Sequence, residues 1–116
     1  MIEKYKEDIK KIPEEIYDLY IRAREVDSKN KDVSLFLLRK TIEVLLKNLD
    51  IDGENLYKKI ENLKDSLDKD KIREGLNRVR EEGNKAVHQA SINISESEII
   101  NLADDVELIL KVFYTL

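Results

Sequence analysis

The sequence predicts an all-α fold, an antiparallel helical bundle of about five helices. Three observations point there. Apolar residues recur at three- and four-residue steps along most of the chain. Three Gly and one Pro in 116 residues leave too few sharp turns for a sandwich or barrel. Hydrophobic residues at 41% supply a core, while 40% charged residues suit the solvated faces of amphipathic helices.

The elements follow in order. Ile2, Tyr5, Ile9 and Ile12 mark a short amphipathic helix. Pro13 breaks it and suits the first turn of the next, where a missing N–H costs nothing. Ile16, Leu19, Tyr20 and Ala23 form that helix's apolar stripe, and the polar Asp27-Ser28-Lys29-Asn30 loop ends it. Asp32 is the expected N-cap of a long helix from Val33 to Leu49. Its apolar residues cover most of the circumference, which predicts a central position in the bundle.

Asp50-Ile51-Asp52-Gly53 reads as a turn, and Leu56, Ile60 and Leu63 as a shorter helix before a polar break from Asp65 to Asp70. The next helix begins near Asp70 and carries Ile72, Leu76, Val79, Gly83, Ala86, Val87 and Ala90. Ser91 to Ile94 is a loop. Ser95 and Glu98 form a capping box, hydroxyl and carboxylate each expected to satisfy an orphan backbone donor. The last helix, with Ile99, Leu102, Ala103, Val106, Ile109, Leu110 and Phe113, is again strongly apolar and is expected to share the centre. Short connections imply mostly antiparallel neighbours. With no repeat or linker, residues 1–116 are read as a single helical domain.

Composition removes several function classes. Without cysteine there is no disulfide, thiolate zinc site or cysteine nucleophile. One histidine does not supply the paired Glu-x-x-His motifs of a di-metal bundle, and no phosphate-cradling Gly-rich string occurs, so no metal or cofactor is expected. No apolar run nears a membrane span and no signal-peptide core opens the chain, so a soluble, cytoplasmic protein without a membrane partner is expected. Twenty-one Lys+Arg against 25 Asp+Glu give a net charge of −4, which disfavours broad nucleic-acid binding. A small, local RNA site remains compatible with it.

One constellation could carry chemistry. On a helix, Arg80, Asn84 and His88 advance by about 40° each and line one stripe, away from the apolar stripe around Val79, Gly83 and Ala90. Gly83 costs roughly 1 kcal/mol relative to Ala, a cost explained if a neighbouring helix approaches closely there. Arg39 and Glu43, four apart on the apolar central helix, read as a flank ion pair or as groups facing that stripe across a groove.

The order Pro13, Leu38-Arg39-Lys40-Thr41-Ile42-Glu43, Leu56-Tyr57-Lys58-Lys59-Ile60 and Arg80-x-x-Gly83-Asn84-x-x-x-His88 resembles a bacterial and archaeal helical domain labelled unknown function four-one-four-five. The resemblance covers about residues 13–114, and that domain occurs alone or fused to defence proteins. It is similar to the HEPN superfamily, helical bundles that commonly dimerise. Asn84 and His88 match the polar residue and histidine of the active HEPN ribonuclease pattern, Gly83 stands in the place of its arginine, and Arg80 lies one turn earlier.

The resemblance therefore implies a homodimer in a defence-related setting, with Arg39, Glu43, Arg80, Asn84 and His88 as binding residues for RNA, a nucleotide or a partner protein. The alternative it implies is a metal-independent endoribonuclease with His88 and Arg80 as catalytic residues across a dimer. In that chemistry His88 would move a proton near its ordinary pKa of about 6.5, and an arginine would stabilise the phosphorane. A third reading is a purely structural dimerisation module.

Overall fold

The computed structural model describes residues 11–26, 30–63, 69–87 and 94–114. Five helices are assigned among them: α1 (Glu14–Glu25), α2 (Lys31–Asn48), α3 (Leu56–Glu61), α4 (Lys69–Val87) and α5 (Glu96–Tyr114). No strand occurs among the described residues. The helix expected from Ile2 to Ile12 lies outside them except for its end, where Ile12 is buried in the core.

Helix ends follow local chemistry, with two shifts from expectation. Pro13 is the cap preceding α1 rather than its first helical residue, and its carbonyl accepts from the Ile16 and Tyr17 N–H groups at 3.0 Å each. α2 starts earlier than Asp32 suggests, because Asn30 takes the cap position without a side-chain cap bond. Asp32 falls in the first turn, where its carboxylate suits the positive end of the helix dipole. Asn55 caps α3 by accepting the Lys58 N–H at 2.8 Å. At α5 the Ser95 hydroxyl accepts the Glu98 N–H at 3.2 Å, as the capping box requires. The Glu98 carboxylate receives that hydroxyl at 3.1 Å, so the reciprocal bond is made to the side chain rather than the backbone.

Cross-helix bonds fix the topology. Ser34 donates to the Ala23 carbonyl at 3.0 Å, joining the end of α1 to the start of α2. Arg78 pairs with Asp105 at 3.5 Å while Gly75 lies beside Ile109, so α4 and α5 run antiparallel. Lys31 reaches the Ile94 carbonyl at 3.2 Å and Asn48 the Tyr114 hydroxyl at 2.7 Å, so α2 and α5 run parallel. Arg73 donates to the Glu61 and Leu63 carbonyls and ties the end of α3 to α4. Helix α2 packs on all four others and is the centre. Its Leu35, Leu38, Ile42, Leu45 and Leu46 are buried beside Leu76, Val79, Leu102 and Leu110. Helix α5 does not share that centrality equally, since it packs chiefly on α1, α2 and α4. Among the described residues no helix is long and apolar enough to cross a membrane.

The end of α2 carries a local cost. Ile51 N–H bonds the Leu46 carbonyl at 3.1 Å and Asp50 N–H the Lys47 carbonyl at 3.0 Å, the two bonds of a Schellman motif. Its left-handed position, usually glycine, is held by Asp50 at φ 56°. The Asp50 carboxylate also sits at the negative end of the α2 dipole. Asp50→Gly is therefore expected to stabilise the chain by about 1 kcal/mol, read as a Tm higher by about 4 °C in a thermal melt. An unchanged or lower Tm would contradict the strain at this position.

Candidate functional site

Helix α4 buries Ile72, Leu76 and Val79 one turn apart, and Gly83 continues that stripe. A side chain at Gly83 has no room. A Cβ built there would stand 2.6 Å from Arg39 Cβ, 2.8 Å from Arg39 Cδ and 3.1 Å from Arg39 Cγ. The aliphatic stem of Arg39 thus lies directly on the α4 backbone. The close helix approach expected at Gly83 is present, and the residue that approaches is a site candidate from α2.

Seated this way, Arg39 projects its guanidinium along α2. Its Nη1 pairs with Glu43 Oε1 at 2.7 Å, and Lys40 approaches the other oxygen of the same carboxylate at 3.6 Å. Both Arg39 and Glu43 are about a quarter exposed, as an ion pair on the rim of a core should be. Arg39 Nε is buried with no hydrogen-bond partner among the described residues, a state that ordinarily costs about 1–3 kcal/mol. Arg73 Nε shares that state, but Arg73 is spent on capping α3.

Arg80 and Asn84 follow each other along α4 on the flank of Gly83. The Arg80 guanidinium lies 5.2 Å from the centre of the Tyr57 ring on α3, and its Nε donates to Asn77 Oδ1 at 3.1 Å. Its Nη2 is 3.4 Å from Glu81, and the side chain is only 17% exposed. Helical side chains lean toward the N-terminus, which explains why Arg80 meets Asn77 and α3 rather than Asn84. The free polar stripe expected from Arg80 onward is therefore partly committed to holding α3. Asn84 is half-buried and makes no side-chain hydrogen bond among the described residues. His88 lies outside the described residues.

On the other side of Arg39 opens a cleft of about 820 Å³ between α2, the loop after it and α3. Besides Arg39, its wall includes Lys47, Lys59, Asn55, Asp50 and Glu54. Lys47 and Lys59 form no ion pair among the described residues. Sequence reading did not single these residues out, because they meet only when the loop folds back over the end of α2. The Lys58-Lys59 pair on α3 was the one local signal. Tyr57, which Arg80 covers, was likewise visible only as part of a motif string.

The 21–116 segment matches the model of a family described as a domain of unknown function, DUF4145. The chain belongs to the DUF4145 family. The match takes in Arg39, Glu43, Tyr57, Arg80, Gly83, Asn84 and His88, so the seat of Arg39 on Gly83 lies wholly within the DUF4145 domain. It starts within α1, leaving Pro13 outside. No match to the DUF4145 chain was found among curated proteins or among solved structures.

A second polar cluster joins two helices. Arg24 Nη2 pairs with Asp104 at 2.6 Å and Arg24 Nε donates to the Tyr20 hydroxyl at 2.7 Å, binding α1 to α5. Burial pushes the Tyr20 phenol above its ordinary pKa, although the Arg24 hydrogen bond opposes it. Desolvation works against the Arg24 charge, but the bonds to Asp104 and Tyr20 outweigh it and raise its pKa. Among the described residues, no group of three His, Cys, Asp or Glu side chains could hold a metal ion.

Proposed function

We propose that this DUF4145 domain is a HEPN-like binding module that dimerises and recognises RNA or a nucleotide in a defence-related setting, without catalysing its cleavage. The observation that carries the reading is the seat of Arg39 on Gly83. It joins two helix segments distant in sequence, one carrying Arg39 and Glu43 on α2 and the other Arg80 and Asn84 on α4. His88 follows Asn84 by four residues and is included on the strength of the sequence pattern. Glycine at position 83 and the engagement of Arg80 by Tyr57 favour recognition over catalysis, because a phosphorane needs a cation free to meet it.

The test is fluorescence anisotropy with a labelled single-stranded RNA, alongside sedimentation to read the oligomeric state. Asn84→Ala, which removes no side-chain hydrogen bond among the described residues, is expected to weaken binding about fivefold with an unchanged melt. Arg80→Ala should weaken it further and also loosen α3. Unaltered affinity in Asn84→Ala would remove this face from the RNA site. A parallel cleavage assay in EDTA, wild type against His88→Ala, addresses the endoribonuclease alternative; His88-dependent cleavage would overturn the non-catalytic reading.

A further inference from the structure

The bundle leaves one face of α2 uncovered. Leu38, Ile42 and Leu45 are turned to the core. On the other side Val33, Leu37, Lys40, Val44 and Lys47 recur at four- and three-residue steps, the spacing of a seam that another helix covers. Val33 is 43% exposed, Lys40 and Lys47 are exposed, and Leu37 and Val44 are only partly buried. From Lys40 onward this face floors the cleft of about 820 Å³, with Glu15 of α1 and Leu56 and Lys59 of α3 in its walls.

The segment before α1 carries the matching pattern. Ile2, Tyr5, Ile9 and Ile12 each stand 35 positions before a member of the α2 series, namely Leu37, Lys40, Val44 and Lys47. Residues 1–10 lie outside the described residues, but the point where their segment joins the fold is defined. Ile12, the last of the stripe, is buried in the core, Lys11 is exposed, and Pro13 caps α1. Glu15, just inside α1, lines the cleft, so the chain enters the fold at the cleft's rim. Direction follows from α1. Ser34 at the start of α2 bonds Ala23 near the end of α1, and Glu15 shares the cleft with Lys47, so these helices run antiparallel. A segment returning along α1 from a short corner at Pro13 therefore runs parallel to α2. Equal offsets are what parallel helices need. With the same rise per residue, Ile2 stays level with Leu37 and Ile9 with Val44, about 10 Å further along.

We infer that residues 2–9 form a helix seated on this face of α2 and parallel to it, with Ile2 on Leu37, Tyr5 on Lys40 and Ile9 on Val44. The two aliphatic pairs take apolar surface out of water. The Tyr5 ring covers the Lys40 stem and meets its ammonium. A second copy of the chain is a poorer occupant, because a two-fold contact turns the face on itself and sets its lysines against lysines. Seated this way, the segment shields the α2 side of the Arg39–Glu43 pair and leaves Asn84 on α4 open. The inference does not depend on what that α4 flank binds.

The chain has no cysteine, so paired cysteines introduced into the full chain test the seat directly. A disulfide forms only where the two Cα atoms come within about 7 Å. Under mild oxidation, Tyr5→Cys with Lys40→Cys and Ile9→Cys with Val44→Cys are each expected to close within one chain. Non-reducing electrophoresis and thiol titration read this closure. Two mismatched pairs, Tyr5→Cys with Leu108→Cys and Ile9→Cys with Val33→Cys, should close about tenfold more slowly, although Leu108 and Val33 are both exposed. Equal rates in matched and mismatched pairs would overturn the seat, since the segment would then have no fixed register. Disulfides between chains in the matched pairs would also overturn it and give the face to a second copy.

Discussion

Gly83→Leu is expected to destabilise the domain by about 3 kcal/mol, lowering Tm by about 12 °C. Leucine gains up to roughly 1 kcal/mol of helix propensity over glycine, so a naive reading of α4 predicts the opposite sign. The packing decides. The first atom added would stand 2.6 Å from Arg39 Cβ, which is fixed to the α2 backbone and cannot swing aside as a side-chain tip can. Helices α2 and α4 would have to separate, and α2 is the element on which all the others rest. Gly83→Ala should show the same effect at about 1–2 kcal/mol. Adding Arg39→Gly to Gly83→Ala should recover part of that loss, whereas Arg39→Ala, which retains the clashing Cβ, should recover less. A wild-type melting curve for Gly83→Leu would show that the two helices do not meet here.

Periodicity located the helices because each buries one stripe of large aliphatic residues, as Ile72, Leu76 and Val79 do on α4. It also gave Gly83 as a point of close approach, since only packing offsets glycine in a helix interior. The residue lying there was not determined by α4 alone. Arg39 was legible as an anomaly on an apolar helix, yet whether it flanked the core or faced the α4 stripe depended on the rotation of α2, a tertiary quantity. The commitment of Arg80 to Tyr57 was invisible for the same reason, since α3 is short and its docking is set by the loop before it. Asp50 was legible as a turn residue, but not its left-handed backbone, because the 50–53 string also contains Gly53, the residue type expected to take such a conformation.

Leu38→Ala and Phe36→Ala, two residues apart on α2, should separate by several-fold in their effect. Both belong to the apolar set that made α2 look buried nearly all round. Leu38 is completely buried among α2's partners, whereas Phe36 is 45% exposed. Truncating a buried leucine removes its transfer free energy and leaves a cavity that the neighbours only partly fill, so Leu38→Ala is expected to cost about 3 kcal/mol. Phe36→Ala gives up contacts that water already shares, so about 0.5–1 kcal/mol is expected. Urea titration at one protein concentration reads both, with Leu38→Ala shifting the midpoint and leaving the slope unchanged. The comparison tests the rotation of α2 itself. That rotation sets Leu38 inward and carries Arg39, the next residue, onto the α4 backbone at Gly83. Equal losses for the two variants would mean that α2 is turned differently in its bundle. Arg39 could not then occupy its seat, and the recognition face proposed on it would come apart.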